Sequence, residues 1–162
     1  MERVKHELAA LRDPIPLAVF VAVSKIPHAG LGAFAVHRIP SGTVLDEYAG
    51  VHAWGTAARA ARGAYVAFLG SPCDHSIDAE ALETANWTRY INSVVLGDGR
   101  KPNAAFARGK VDGEAHEILI VRTIADVQAN EELLVDYGLD YWTRAEVETG
   151  KKKGQHAQHN GQ

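Results

Sequence analysis

The sequence contains a single cysteine, Cys73, among 162 residues. One thiol forms no intramolecular disulfide and supplies only one of the roughly four ligands that a structural zinc requires. The eight histidines are scattered without metal-ligand spacing, so no metal is the default expectation. Long hydrophobic runs are also absent. The longest, Ile15 to Val23, is broken by Pro16 and is about half of the roughly 20 residues that a membrane span needs. The opening MERVKHELAALRD is charged and helical in pattern, unlike a signal peptide. These absences predict an intracellular, reducing compartment and no membrane partner. Strand–helix–strand alternation and internal repeats are missing as well, which excludes the doubly wound nucleotide-binding fold.

Basic charge is scarce in most of the chain. The formal net charge is −3, yet the tail GKKKGQHAQHNGQ holds three of the 17 basic residues and none of the 20 acidic ones. Residues 1–149 therefore carry 14 basic against 20 acidic side chains, net −6. An acidic body argues against a nucleic-acid backbone as main ligand, which calls for a basic face. It suits a basic partner such as a lysine-rich peptide.

What is present suffices for one domain: 46% hydrophobic and 23% charged residues can build a core. Residues 1–12 read as a short amphipathic helix ended by Asp13-Pro14. β patterning then runs through 19–26, 32–39 and 43–51, with turns at Pro27–Gly30 and Pro40–Gly42. A short helix fits 55–64, and strands fit 65–70, 75–80, 103–108, 116–124 and 132–137. Glu83–Asn92 reads as a helix with Trp87, Tyr90 and Ile91 on one side, and 93–103 as a loop. A last helix is expected over Asp140–Val147, followed by a polar, disordered tail. The result is a mostly β chain with a few short helices.

Three segments carry chemistry. In HAGLGAFA, 28–35, the two glycines serve either as a hairpin turn or as bare backbone that a ligand can approach. In NWTRYIN, 86–92, Asn86 and Asn92 either cap a helix or meet a ligand's polar edge, while Trp87 and Tyr90 read as core. In EELLVDYG, 131–138, Tyr137 ends a strand, either half-buried or positioning a hydrogen bond in a cleft. Glu131 and Glu132 read most simply as turn residues ahead of that strand.

In order, GLGAFA, Glu47-Tyr48-Ala49-Gly50, Ile77-Asp78-Ala79, NWTRYIN and EELLVDYG resemble the motifs of SET-domain protein lysine methyltransferases, from about Ser24 to Trp142. Family members commonly read N-H-S-C-x-P-N where this chain has Asn92-Ser93-Val94-Val95 and then Pro102-Asn103. In that respect it is similar to the PR-type subgroup. The resemblance implies a β-clip fold of small curved sheets, with a pseudoknot between the segment after RYIN and the segment ending in DYG. The division expected is a lead-in over 1–18, the SET domain over 19–143, and a tail over 144–162.

It also implies S-adenosylmethionine as cofactor, held by Gly30, Leu31, Gly32, Tyr65, Arg89, Asn92 and Ser93, with Trp142 or Tyr141 covering the adenine. Tyr137 and Tyr48 are the implied catalytic residues. Tyr48, Phe106, Val135 and Tyr137 are implied to line the lysine channel, Val135 occupying a position that often biases the degree of methylation. The implied substrate is a histone tail or another lysine-rich protein, reached by a monomer or homodimer, in the nucleus if the substrate is histone. The alternative is a SET-like binding module with weak or no catalysis, motivated by the absent histidine after Asn92.

Overall fold

The computed structural model describes residues 2–61, 63–69, 74–94, 99–110 and 117–138. Helix α1, Glu2–Ala9, opens the chain, one turn shorter than the amphipathic pattern suggests. Strands β1, Val19–Val23, and β2, Leu31–Ala35, form an antiparallel hairpin in register from Val19–Ala35 to Val23–Leu31. Strands β3, Val44–Glu47, and β4, Val51–Trp54, follow, then helix α2, Gly55–Ala60. Strands β5, Val66–Leu69, and β6, His75–Asp78, pair with each other, and β6 pairs with β4. Strand β7 is Asn92–Ser93, β8 is Ala104–Lys110, β9 is Glu117–Thr123 and β10 is Leu134–Val135. Four small sheets result: β1-β2, β3-β9-β8, β4-β6-β5 and the parallel pair β7-β10.

Strand β9 shows why these segments become strands. Leu119, Val121 and Thr123 are buried while Arg122 between them is exposed, the period-two alternation of a strand covering a core. Trp87, Ile91, Val121, Val127, Leu133 and Val135 are the heart of that core. A second cluster joins Tyr48, Leu69, Ile77 and Leu119 beneath the β4-β6-β5 sheet.

Two local expectations are corrected. Residues 83–92 do not form a helix: only Trp87–Tyr90 coils, as a single 3-10 turn. Asn86 caps it by accepting from the Thr88 N–H, a donor that a helix begun at Glu83 would pair along its own backbone, and Thr88 Oγ1 donates to the Glu47 carbonyl of β3. The supposed loop after it begins as strand β7. Its Cα partners are Leu134 and Val135, some 40 residues away in sequence. Val94 N–H donates to the Val135 carbonyl and Asn103 N–H to the Leu134 carbonyl, so β10 is held from both sides. This is the crossing that the pseudoknot reading requires.

Trp87 is fully buried, and its Nε1–H donates to Asp46 Oδ2 at 2.8 Å. Trp87→Ala removes both the packing and the donor, and is expected to destabilise the chain by about 3–5 kcal/mol. Urea unfolding of the two chains checks this. A loss below about 1 kcal/mol would show that the side chain is not central to the core.

Candidate functional site

The turn of the β1-β2 hairpin, the end of the 3-10 turn, strand β7 and the residues after β10 converge on one cleft of about 580 Å³. That is within the range of sites for small-molecule ligands. Its lining includes Gly30 and Leu31 from the hairpin, Tyr65 ahead of β5, and Arg89, Asn92 and Ser93 from the NWTRYIN segment. Tyr137 closes it from the DYG segment. Six sequence-predicted cofactor residues and the predicted catalytic tyrosine thus meet in one place.

Each wall has a local cause. Tyr137 follows β10, where Asp136 Oδ1 accepts from the Gly138 N–H at 2.8 Å and Gly138 takes φ +79°. That is an Asx turn closed by a left-handed residue, which glycine adopts without strain. Ser93 Oγ accepts from the Tyr137 N–H at 3.0 Å, and the Tyr137 hydroxyl donates to the Ile91 carbonyl at 2.8 Å. Both ends of Tyr137 are therefore tied to the β7 segment. Gly32 does not line the cleft. A Cβ there would lie 2.3 Å from Glu132 Oε1 and 3.3 Å from Asn92 Nδ2, so close approach of those side chains is what requires a glycine.

Beyond Tyr137 an aromatic group continues inward. The Phe106 ring stacks on Tyr137 with centroids 6.4 Å apart and meets the Tyr48 ring edge-on at 5.5 Å. The Tyr48 hydroxyl donates to the carbonyl of Tyr65, itself a cleft residue, at 2.8 Å. Burial pushes the Tyr48 phenol well above its ordinary value near 10, with nearby Tyr137 adding to the rise and Arg89 opposing it. The Arg89 guanidinium lies 4.1 Å from the Tyr65 ring centroid and 5.5 Å from that of Tyr90. Arg89 Nε is buried without a hydrogen-bond partner. Arg89 itself lines the cleft, so this unpaired polar atom lies in the cleft's wall, where an unsatisfied buried donor calls for a functional explanation.

Val135 is fully buried in the core with Tyr137 packed against its cluster, so it meets no cleft surface. Trp142 and Tyr141 lie outside the described residues. Sequence reasoning missed Glu7, His28 and Tyr90 as cleft residues. Glu7 Oε1 accepts from the Tyr90 hydroxyl at 2.9 Å. A signal existed for Glu7, which falls in phase with the apolar Val4, Leu8 and Leu11 of the opening helix. Burial, followed by the bond to Glu7, raises the Tyr90 phenol above its ordinary value. Glu132, read from sequence as a turn residue, is instead buried at 4% exposure. Its carboxylate accepts from Ser24 Oγ at 2.6 Å, the Lys25 N–H at 2.8 Å and Asn92 Nδ2 at 3.2 Å.

The chain is similar to known proteins over most of its length. The SET domain family model matches residues 30–138. Histone-lysine N-methyltransferase set-17 of Caenorhabditis elegans is 31% identical over 146 residues, which is 90% of this chain. The chain spans about half the length of that curated relative, 50%. Among solved structures, a polycomb repressive complex 2 in an autoinhibited conformation, bound to S-adenosylmethionine, matches with TM-score 0.59 and 25% identity. A humanized mutant of the Chaetomium thermophilum complex, bound to an inhibitor, matches with TM-score 0.60 and 27% identity. Both matches cover 75% of this chain and 15% of the matched chain.

The raised phenols set an alkaline limit. Tyr48 and Tyr90 stay protonated in the fold while the unfolded chain ionises them near pH 10. Their stabilising contribution is complete below that pH and is lost as pH rises toward the folded values. Ultraviolet titration of phenolate should therefore count fewer than the five tyrosines until the chain unfolds. Five ionising together near pH 10 in folded protein would contradict the burial.

Proposed function

The chain belongs to the SET-domain family, and on that premise we propose that it is an S-adenosylmethionine-dependent protein lysine N-methyltransferase. One observation carries the reading: Tyr137 stands between the cleft and the aromatic group, lining the first and stacking within the second. A cofactor cleft and a lysine channel that share one wall are what direct methyl transfer needs. Histone lysine methylation by set-17 and the cofactor-bound polycomb structure support it.

The cleft's own residues fit the cofactor. The unpaired Arg89 Nε and the Asn92 side chain provide a donor and an acceptor, and the hairpin backbone at Gly30 and Leu31 offers an unobstructed wall. Tyr65, Arg89 and Ser93 would complete the wall, Gly32 would hold the hairpin close, and Trp142 would cover the adenine. When bound, S-adenosylmethionine supplies an electrophilic methyl group on a cationic sulfur.

Everything else falls to the protein. A lysine side chain entering past Tyr48, Phe106 and Tyr137 leaves water behind, and burial favours its neutral amine, the form that can accept a methyl. The hydroxyl hydrogens of Tyr48 and Tyr137 are donated to the carbonyls of Tyr65 and Ile91. Their oxygens are thereby left as acceptors, suited to holding the amine N–H and to weak C–H···O contacts with a polarised methyl. The raised Tyr48 phenol keeps that group neutral, so no phenolate competes as a nucleophile. Catalysis is then mostly a matter of geometry: two reactants held in line and dry. Val135, fully buried, would act on the channel through the core cluster against which Phe106 and Tyr137 pack.

A histone or another lysine-rich protein is the substrate we propose, in keeping with the −6 charge of residues 1–149; a histone substrate would place the chain in the nucleus. The second reading, a binding module with weak catalysis, draws on Ser93 standing where family members commonly have histidine. Ser93 is nonetheless occupied in holding the Tyr137 backbone.

Tyr137→Phe tests the assignment. The rate of lysine methylation should fall on the order of 100-fold, the scale expected when a reacting group is misplaced. Cofactor affinity by isothermal titration should change little. A variant that methylates peptides at the wild-type rate would remove Tyr137 from the mechanism.

A further inference from the structure

Glu132 is a buried carboxylate bonded to the cleft residue Asn92, and no cation pairs with it among the described residues. Three donors satisfy it instead. Oε1 accepts from Ser24 Oγ and Asn92 Nδ2, and Oε2 from the Lys25 N–H. These donors come from the two residues just after β1 and from β7, so the carboxylate ties the start of the hairpin turn to the strand that carries Asn92. Charge-assisted hydrogen bonds of this kind are about twice as strong as neutral ones.

The consequence lies in the Asn92 amide. Nδ2 donates to the Leu31 carbonyl at 2.9 Å and to Glu132 Oε1 at 3.2 Å. Turning the amide over would bring its oxygen against a carbonyl and a carboxylate, two acceptors, so only one orientation is tolerated. Both amide hydrogens are spent on the protein. The Asn92 atom left without a partner among the described residues is Oδ1, and Asn92 lines the cleft.

We infer that Glu132 is a positioning residue for cofactor binding: its charge fixes Asn92 so that the cleft presents an acceptor, selecting a ligand with a cationic or N–H donor group at that point. The inference rests on the methyltransferase reading, since the amino-acid end of S-adenosylmethionine carries an ammonium group. Gly32 belongs to the same device. Its missing Cβ leaves room for Oε1 and for the amide.

Glutamine at 132 cannot reproduce the arrangement. One of its two ends is an NH₂ donor, which meets either Asn92 Nδ2 or the Lys25 N–H, both donors. The test is a double-mutant cycle read by titration calorimetry with S-adenosylmethionine, alongside the melting temperature of each variant. E132Q and N92A should each weaken binding about tenfold, roughly the loss of one good hydrogen bond. The double variant should bind no more weakly than N92A alone, because Glu132 acts through Asn92. If E132Q does not fold, G32A enters the cycle in its place, since its Cβ displaces the carboxylate while leaving the charge.

Losses that multiply in the double variant, or an E132Q chain with wild-type affinity, overturn the inference. So does a failure of both E132Q and G32A to fold, which makes the carboxylate a structural group. No cofactor binding by the wild-type chain is a different failure: it overturns the methyltransferase reading itself, and this inference with it.

Discussion

The parallel pairing of Asn92–Ser93 with Leu134–Val135 is the constraint on which the site depends. Two residues on each side make a weak sheet by themselves, so the pair is secured by side chains. Asn103 Nδ2 donates to the Glu132 carbonyl at 2.8 Å and to Glu131 Oε1 at 3.1 Å, and Asn103 Oδ1 accepts from the Leu134 N–H at 2.9 Å. One buried side chain thus satisfies backbone groups that a third strand would otherwise pair. The crossing brings Asn92 under the hairpin and Tyr137 over the cleft. Without it, neither residue would be near the other.

The same crossing sets the cleft beside the aromatic group of Tyr137, Phe106 and Tyr48. Leu133 and Val135 are fully buried, while Tyr137 after them lines the cleft and Glu132 before them bonds to the cleft residue Asn92. Fixing the Tyr48 and Tyr137 hydroxyls to backbone carbonyls costs no additional side chains and leaves their oxygens oriented before any ligand arrives. Preorganised groups of this kind need not reorganise during reaction.

Much of this was legible in the amino-acid order. Alternation in 117–123 marks β9, and the sequence of GLG, NWTRYIN and EELLVDYG identifies which segments meet. What could not be read is long-range. Asn92–Ser93 has no local strand pattern because its partners are about 40 residues away. The i, i+3, i+4 spacing of Trp87, Tyr90 and Ile91 fits a single 3-10 turn as well as a helix, and the deciding bonds, from Asn86 and Thr88 to the Glu47 carbonyl, again come from a distant segment. Glu132 was misread because acids before a strand are usually solvated, and only the hairpin and Asn92 supply the donors that bury it.

Intact-mass spectrometry of core histones incubated with the purified chain and S-adenosylmethionine tests the proposed lysine methylation most directly. A histone is expected to gain the mass of one or more methyl groups, on lysine, and to do so only when the cofactor is present. A chain that binds the cofactor yet leaves histones and a lysine-rich protein extract unmodified would contradict it, and would leave a cleft built for binding alone.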